Sequence, residues 1–407
     1  MKNLLFSVFA TLGLSAALAA PTATVGSVVQ EDGTGRVTIT YDLSEEAIVT
    51  LSADRKRGEE WVRMGDADFR HVGGSVNRRL AAATGLRIFW LPPKELTNEK
   101  ISDIRVVLTA WPVDNPPDYM LVDLVAKSNV TFYTSFEALP EQDIHDASKW
   151  ALQLLMRKIP AQGIRWRMGN QTSGRFVTLK ENFYIGIYEL TVGQYKAISK
   201  GPGTAQTYSE DLCPTATPSF DGMRGKVGSG ANLVWPESRH AVSSASVLGK
   251  LRVLTGVDFD LPTRAQWEFA CRAGCKNDYN FGTDSTAVAQ TNCVNSANRA
   301  GTTNNPDGQY APNRWGIYDM HGNFAECCLD WDETLAAGEF EDPKGPMTTA
   351  ETTVRVACGG FSNKSVSDCK SFSYATQAPA SATWWQGFRL MCPASQVYSA
   401  AAKTPME

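Results

Sequence analysis

Cysteine is missing from the first half of this 407-residue chain; all nine cysteines fall at or after Cys213. Histidine is scarce, with four residues, and no CxxC pair of the zinc-finger kind occurs. A structural zinc site, which needs four Cys or His ligands at such spacings, is therefore not expected. Positive charge is not in excess either: 39 Lys and Arg against 43 Asp and Glu leave a net charge of -4. Without a basic stripe, nucleic acid is not an expected partner. Past the first twenty residues no apolar run is long enough to cross a bilayer, so no membrane span is expected in the mature chain. Internal repeats are absent, which excludes solenoids and propellers.

What is present begins with "MKNLLFSVFATLGLSAALAAP", one early Lys2 and then an apolar run ending in Ala17-Leu18-Ala19. This is the pattern of a secretory signal peptide over residues 1–19, cut after Ala19. An exported protein, periplasmic or extracellular, is expected. Export would place the cysteines in an oxidising compartment where thiols pair, and an odd count leaves at least one over.

The length predicts two or three domains. Residues 22–136 read as a small antiparallel β-sandwich. Val37, Ile39, Tyr41 and Leu43 alternate with polar residues, and Ile104, Val106, Leu108 and Ala110 make a second period-2 face. "YMLVDLVA" adds a further strand, and "EDGTG" and "DNPPD" supply turns. Residues 137–162 read as a linker, with an amphipathic helix over 144–158 carrying Trp150, Leu154, Leu155 and Lys158. From residue 163 the texture changes. In "LPTRAQWEFACRAG", Thr263 and Gln266 form a capping box and Gly274 suits a helix C-terminus. Helix signals then nearly vanish up to Cys392, and so long a loop-rich stretch calls for staples or ions.

The stretch "GIYDMHGNFAECCLDWD" at 316–332 concentrates the chemistry. Asp319 and Glu326 flank a glycine-containing turn, an oxygen-only arrangement that suits calcium; the other reading is that the two carboxylates bond turn amides. His321 alone beside such a loop is more often a packing residue than a ligand. Cys327 and Cys328 are adjacent and cannot comfortably bond each other, so at least one is expected to pair elsewhere.

Four blocks, "FYIGIYELTVGQY", "LPTRAQWEFACRAG", "NRWGIYDMHGNFAEC" and "CGGF…CKSFSY…GFRL", occur in an order and spacing that resembles the formylglycine-generating enzyme family, the sulfatase-modifying factors. The resemblance covers roughly residues 160–392. It implies an α+β, C-type-lectin-like fold over 163–394, following the sandwich and preceding a tail at 395–407. Enzymes of this family oxidise a sulfatase cysteine to formylglycine with O₂ and copper held by two cysteines; the fold also serves as a ligand-binding scaffold. The resemblance implies calcium ligands at Asp319, Gly322, Phe324 and Glu326, with Asn298 a ligand of a second, shortened loop.

At the copper site this sequence departs from the family. After Gly359-Gly360 the serine position holds Phe361, the first cysteine position holds Lys364, and only the second, Cys369, is retained. The tryptophan expected before Glu326 is Ala325. One thiolate beside an ammonium does not reproduce a two-sulfur Cu(I) site, so copper is not expected. Cys358 is expected in a disulfide, with Cys392 as the candidate partner. The stretch 362–386, with Asn363, Tyr374, Trp384 and Trp385, resembles a binding surface for a protein or glycan, a sulfatase among the possibilities; an irregular loop with packed tryptophans is the other reading. The sequence thus leads to a non-catalytic binding or accessory protein, with an oxidase using Cys369 and an unidentified second ligand as the alternative.

Overall fold

The computed structural model describes residues 20–93, 103–125, 130–143, 145–170, 172–200, 209–216, 218–226, 234–282, 308–347 and 353–398. The proposed signal peptide and Asn298 lie outside these. The chain is mostly β, with few and short helices.

Two antiparallel sheets open the chain. One has β1 (Ala23–Gln30), β2 (Val37–Leu43), β7 (Ala83–Trp90) and β5 (Val72–Gly74) in that order. The other is built on β3 (Ala47–Arg57), which pairs with β4 (Glu60–Arg63), β6 (Arg79–Leu80) and β8 (Ile104–Pro112). The alternation along β2 is realised: Val37, Ile39, Tyr41 and Leu43 are buried, and they share one apolar cluster with Val49 and Leu51 of β3 and Trp90 of β7. The burial of these alternate side chains between the sheets is the driving force for pairing them.

A five-stranded sheet follows, in the order β10 (Val130–Tyr133), β9 (Tyr119–Asp123), β11 (Gln153–Ile159), β14 (Phe183–Gly186), β20 (Met391–Pro393). Its composition corrects the expected boundaries. β9 and β10 lie within the stretch assigned to the N-terminal unit, yet they pair into the sheet that carries β14 and β20. Met120, Leu121 and Val122 are buried in succession, and a strand with no exposed face belongs inside a sheet covered on both sides. The expected helix over 144–158 is also corrected. Helix α1 spans only Ala147–Trp150, and β11 then runs through the middle of the sheet. Leu154, Leu155 and Met156 are consecutive buried residues, a pattern that periodicity alone cannot tell from a buried helix.

Among the described residues four further helices follow: α2 (Val192–Lys200), α3 (Phe220–Arg224), α4 (Val247–Thr255) and α5 (Arg264–Arg272). The Thr263–Gln266 capping box forms as expected. Gly256 ends α4 in the left-handed region at φ 72°, while after α5 that position falls on Ala273 at φ 44°. Two small sheets complete the described residues: β12 (Arg165–Met168), β13 (Arg175–Thr178), β16 (Glu339–Glu341), and β18 (Tyr374–Gln377), β17 (Arg355–Cys358), β15 (Ala325–Trp331), β19 (Gln386–Gly387). The second of these carries the candidate site. The described part of the expected tail is packed, not loose: Tyr398 is buried and stacks on His240 at 3.8 Å.

Candidate functional site

Strand β15 is the spine of the site. It pairs antiparallel with β17 and parallel with β19, and all seven of its residues are buried. Glu326 therefore sits in the protein interior, where an isolated carboxylate would be costly. Arg389, two residues past β19, meets it: Nε donates to Oε2 at 2.8 Å and Nη2 to Oε1 at 2.6 Å. Trp267 of α5 donates its indole N–H to the same Oε2 at 2.6 Å. Arg389 also donates from Nη1 to the Gly186 carbonyl at 3.0 Å and from Nη2 to the Tyr318 carbonyl at 2.9 Å.

The turn before β15 is held in the same manner. Buried Glu189 accepts from the Asn323 side-chain amide at 2.6 Å and from the Phe324 N–H at 3.0 Å. Asn323 has φ 58° and Asp319 φ 55°, left-handed conformations that Asn and Asp tolerate best among non-glycine residues. Asp319 Oδ2 accepts from the Gly308 N–H at 2.6 Å, and Gly322 donates its N–H to the Gly359 carbonyl at 2.8 Å. His321 is buried between the Cys369 carbonyl, 2.7 Å from Nδ1, and the Asn280 N–H, 3.1 Å from Nε2. That set requires a neutral ring with the proton on Nδ1. Burial pushes its pKa down to about 4, in keeping with that form.

The expected calcium ligands can now be placed. Asp319, Gly322, Phe324 and Glu326 fall on one turn, but the donor set does not fit the ion. Both oxygens of Glu326 are engaged by cationic or N–H donors, and its charge is balanced by Arg389. Burial, opposed by the Gly308 N–H and Arg389, pushes Asp319 up to about 6; it remains mostly ionised at neutral pH, with Oδ2 already engaged by that N–H. Among the described residues no group of three or more His, Cys, Asp and Glu side chains could hold a metal ion. Sequence reasoning passed over Arg389 and Glu189 although both lie in the quoted blocks "GFRL" and "FYIGIYEL". Their signal was an apolar block that carries one charge.

The structure also places the residues at the family's copper position. Cys369 is fully buried, and its thiol approaches the Ser365 carbonyl at 3.5 Å. Lys364 is exposed, with Nζ 5.3 Å from the centre of the Phe361 ring. Phe361 stacks on Trp385 at 4.9 Å and 21°, and meets Trp384 edge-on at 5.8 Å. Trp384 is 53% exposed and Tyr374 40%; Asn363 is exposed as well. Phe361, Lys364, Asp368, Phe372 and Tyr374 line an open cleft of about 440 Å³. The structure thus brings Phe361, Lys364 and Tyr374 together at one cleft, with the tryptophans packed around Phe361. The expected partner of Cys358 is corrected: Cys392 lies in the other sheet, opposite Tyr184 on β14, while Cys358 faces Cys328 with 3.7 Å between the sulfurs.

Residues 159–394 match the sulfatase-modifying factor enzyme 1-like domain. The formylglycine-generating enzyme of Thermomonospora curvata is 32% identical over 147 residues, 32% of this chain and 48% of that protein. That of Streptomyces coelicolor is 31% identical over 158 residues, 35% and 49% of the two. The chain thus spans about half the length of these relatives. Among solved structures, variable protein 1 of Treponema denticola is 20% identical with a TM-score of 0.44, over 59% of this chain and 95% of that one. With the matched domain covering more than half of its length, the chain belongs to the sulfatase-modifying-factor family.

Proposed function

We propose that this is an exported, non-catalytic member of the family, a binding or accessory protein. Its N-terminal sheets form an immunoglobulin- or fibronectin-like sandwich, and its second part offers the surface around Phe361, Tyr374, Trp384 and Trp385 to a protein or glycan ligand. The observation that carries this reading is the stack of Phe361 on Trp385. An aromatic ring, with the Lys364 ammonium beside it, stands at the positions where the enzymes carry a serine and a copper-binding thiolate. Soft-metal chemistry needs a second sulfur there, and an ammonium beside a ring supplies none. Exposed aromatics flanked by Asn363 and Asp368 instead offer apolar faces ringed by hydrogen-bonding groups, the composition of a contact surface.

The test is co-expression of the full chain with a sulfatase bearing the Cys-x-Pro-x-Arg signal, followed by mass spectrometry of the signal peptide. The expected result is an unconverted cysteine. Conversion that disappears in Cys369→Ala overturns this reading and establishes the oxidase.

A further inference from the structure

Two thiols meet beneath the site. Cys328 and Cys358 are both buried, with 3.7 Å between their sulfurs. A break in the ladder brings them together. β15 and β17 begin in the register Glu326↔Cys358 and Cys327↔Ala357, but further along the partners are Trp331↔Arg355. The register slips by two residues between these points; ahead of the slip Cys358 lies opposite Glu326, so Cys328, two residues further along β15, is its diagonal neighbour. Glu326 and Cys328 are two residues apart on one strand and so share a face. Diagonal neighbours on a regular ladder are about 7–8 Å apart, yet beside this irregularity the two side chains turn toward each other and the sulfurs approach to 3.7 Å. The other cysteine of β15, Cys327, approaches the Cys328 carbonyl, and Cys369, in the loop after β17, approaches the Ser365 carbonyl.

We infer that Cys328 and Cys358 are joined by an intrachain disulfide that staples β15 to β17 directly beneath Glu326 and the Gly359-Gly360 turn. The chemistry is thiol–disulfide exchange with a disulfide-bearing oxidant, a small molecule or a protein. One cysteine thiolate, having lost its proton, attacks the oxidant and releases one thiol. The second thiolate attacks the mixed disulfide, closes the Cys328–Cys358 bond and releases the second thiol. Two protein thiols are oxidised, and the oxidant is reduced by two electrons. In the closed fold this attack is blocked. Burial, reinforced by the neighbouring Cys358 sulfur, pushes the Cys328 thiol well above its ordinary range, and neither sulfur is exposed. The bond therefore forms before the strands close and resists reduction afterwards. An S–S bond also suits its surroundings, since Trp267, Met320 and Val356 belong to the same apolar cluster. It would brace the strand that carries Glu326 and the turn that leads into Phe361.

Tryptic peptides decide the matter. Residues 315–344 carry Cys327 and Cys328, and residues 356–364 carry Cys358 alone. The full chain is refolded from denaturant in a buffer of oxidised and reduced glutathione, alkylated without reduction, and digested. Supplying the oxidant in the buffer makes the result independent of where the chain resides. The expected product is a cross-linked pair of these peptides, retained in Cys327→Ala and lost in Cys328→Ala. The wild type should also unfold at lower denaturant once reduced in the unfolded state, while Cys328→Ala shows no such shift. Recovery of both wild-type peptides fully alkylated overturns the inference, as does a link from Cys358 to the 390–403 peptide that holds Cys392. Stoichiometric copper or zinc on the wild type, with both thiols alkylated only after chelation, overturns it as well. The wild-type digest distinguishes these outcomes even if a variant fails to fold.

Discussion

Arg389 clasps Glu326 with two nitrogens, and the side chains are 0% and 1% exposed. This pair locks the "GFRL" arm to the strand beneath the candidate site. Removing one partner of a buried pair leaves the other charge stranded, at a cost of about 3–5 kcal/mol. Glu326→Gln keeps the shape and removes the charge, so it should lower stability by about that amount in denaturant titration. Adding Arg389→Met should recover part of the loss, because the stranded guanidinium goes with it. A Glu326→Gln variant as stable as the wild type would show that the pair contributes nothing.

Asp330 makes the fold sensitive to pH. It is 2% exposed, and its Oδ2 accepts from the Arg264 N–H at 2.7 Å. Burial, opposed by that N–H and the Arg264 charge, pushes its carboxyl up to about 6. A carboxyl raised above its unfolded value binds protons more tightly in the folded state. Stability therefore falls as pH rises from about 4 to about 6, and the loss is complete above that window. A two-unit shift corresponds to about 3 kcal/mol. Asp330→Asn can still accept the Arg264 N–H, so it should raise the urea midpoint at pH 8 and change little at pH 4. Equal midpoint changes at both pH values would argue against the shift.

Chelation gives an independent reading of the "DMHGNFAE" turn. With Glu326 committed to Arg389 and Trp267, the purified protein should melt identically in excess calcium and excess chelator. Asp319→Asn should likewise melt at one temperature in both. A calcium-dependent rise in Tm that Asp319→Asn removes would mean that Asp319 and turn carbonyls hold the ion after all.

Local features were legible in the sequence because their causes are local. The alternation from Val37 to Leu43 and the Thr263–Gln266 box each need only neighbours to define them. What stayed hidden depends on distant partners. Glu189 meets Asn323 across 134 residues, and Arg389 meets Glu326 across 63. The run Leu154-Leu155-Met156 reads as helical in the sequence because full burial erases the period that separates strand from helix. Cys328 and Cys358 could not be matched from spacing, since only the pairing of β15 with β17 brings these two residues, 30 apart in the chain, within 3.7 Å at their sulfurs. Phe361 was visible as a departure from the family's pattern, but its stack on Trp385 needed the fold to bring β19 alongside β15.

The proposed binding surface allows function to be separated from stability. Trp384 is 53% exposed and touches Phe361 only edge-on. Phe361 is 9% exposed and belongs to a small apolar cluster with Ala325 and Ala357. Truncating a well-buried phenylalanine costs about 3 kcal/mol or more, whereas an exposed side chain away from special features shifts stability within about 0.5 kcal/mol. Phe361→Ala should therefore lower the unfolding midpoint clearly, and Trp384→Ala should leave it in place. If the tryptophan is a contact residue, Trp384→Ala should nonetheless weaken retention on a glycan array or an immobilised sulfatase to which the wild type binds. Measuring both properties on both variants separates the two roles. A Trp384→Ala protein that unfolds as easily as Phe361→Ala would place the tryptophan in the core, and the contact surface would then have to be sought elsewhere.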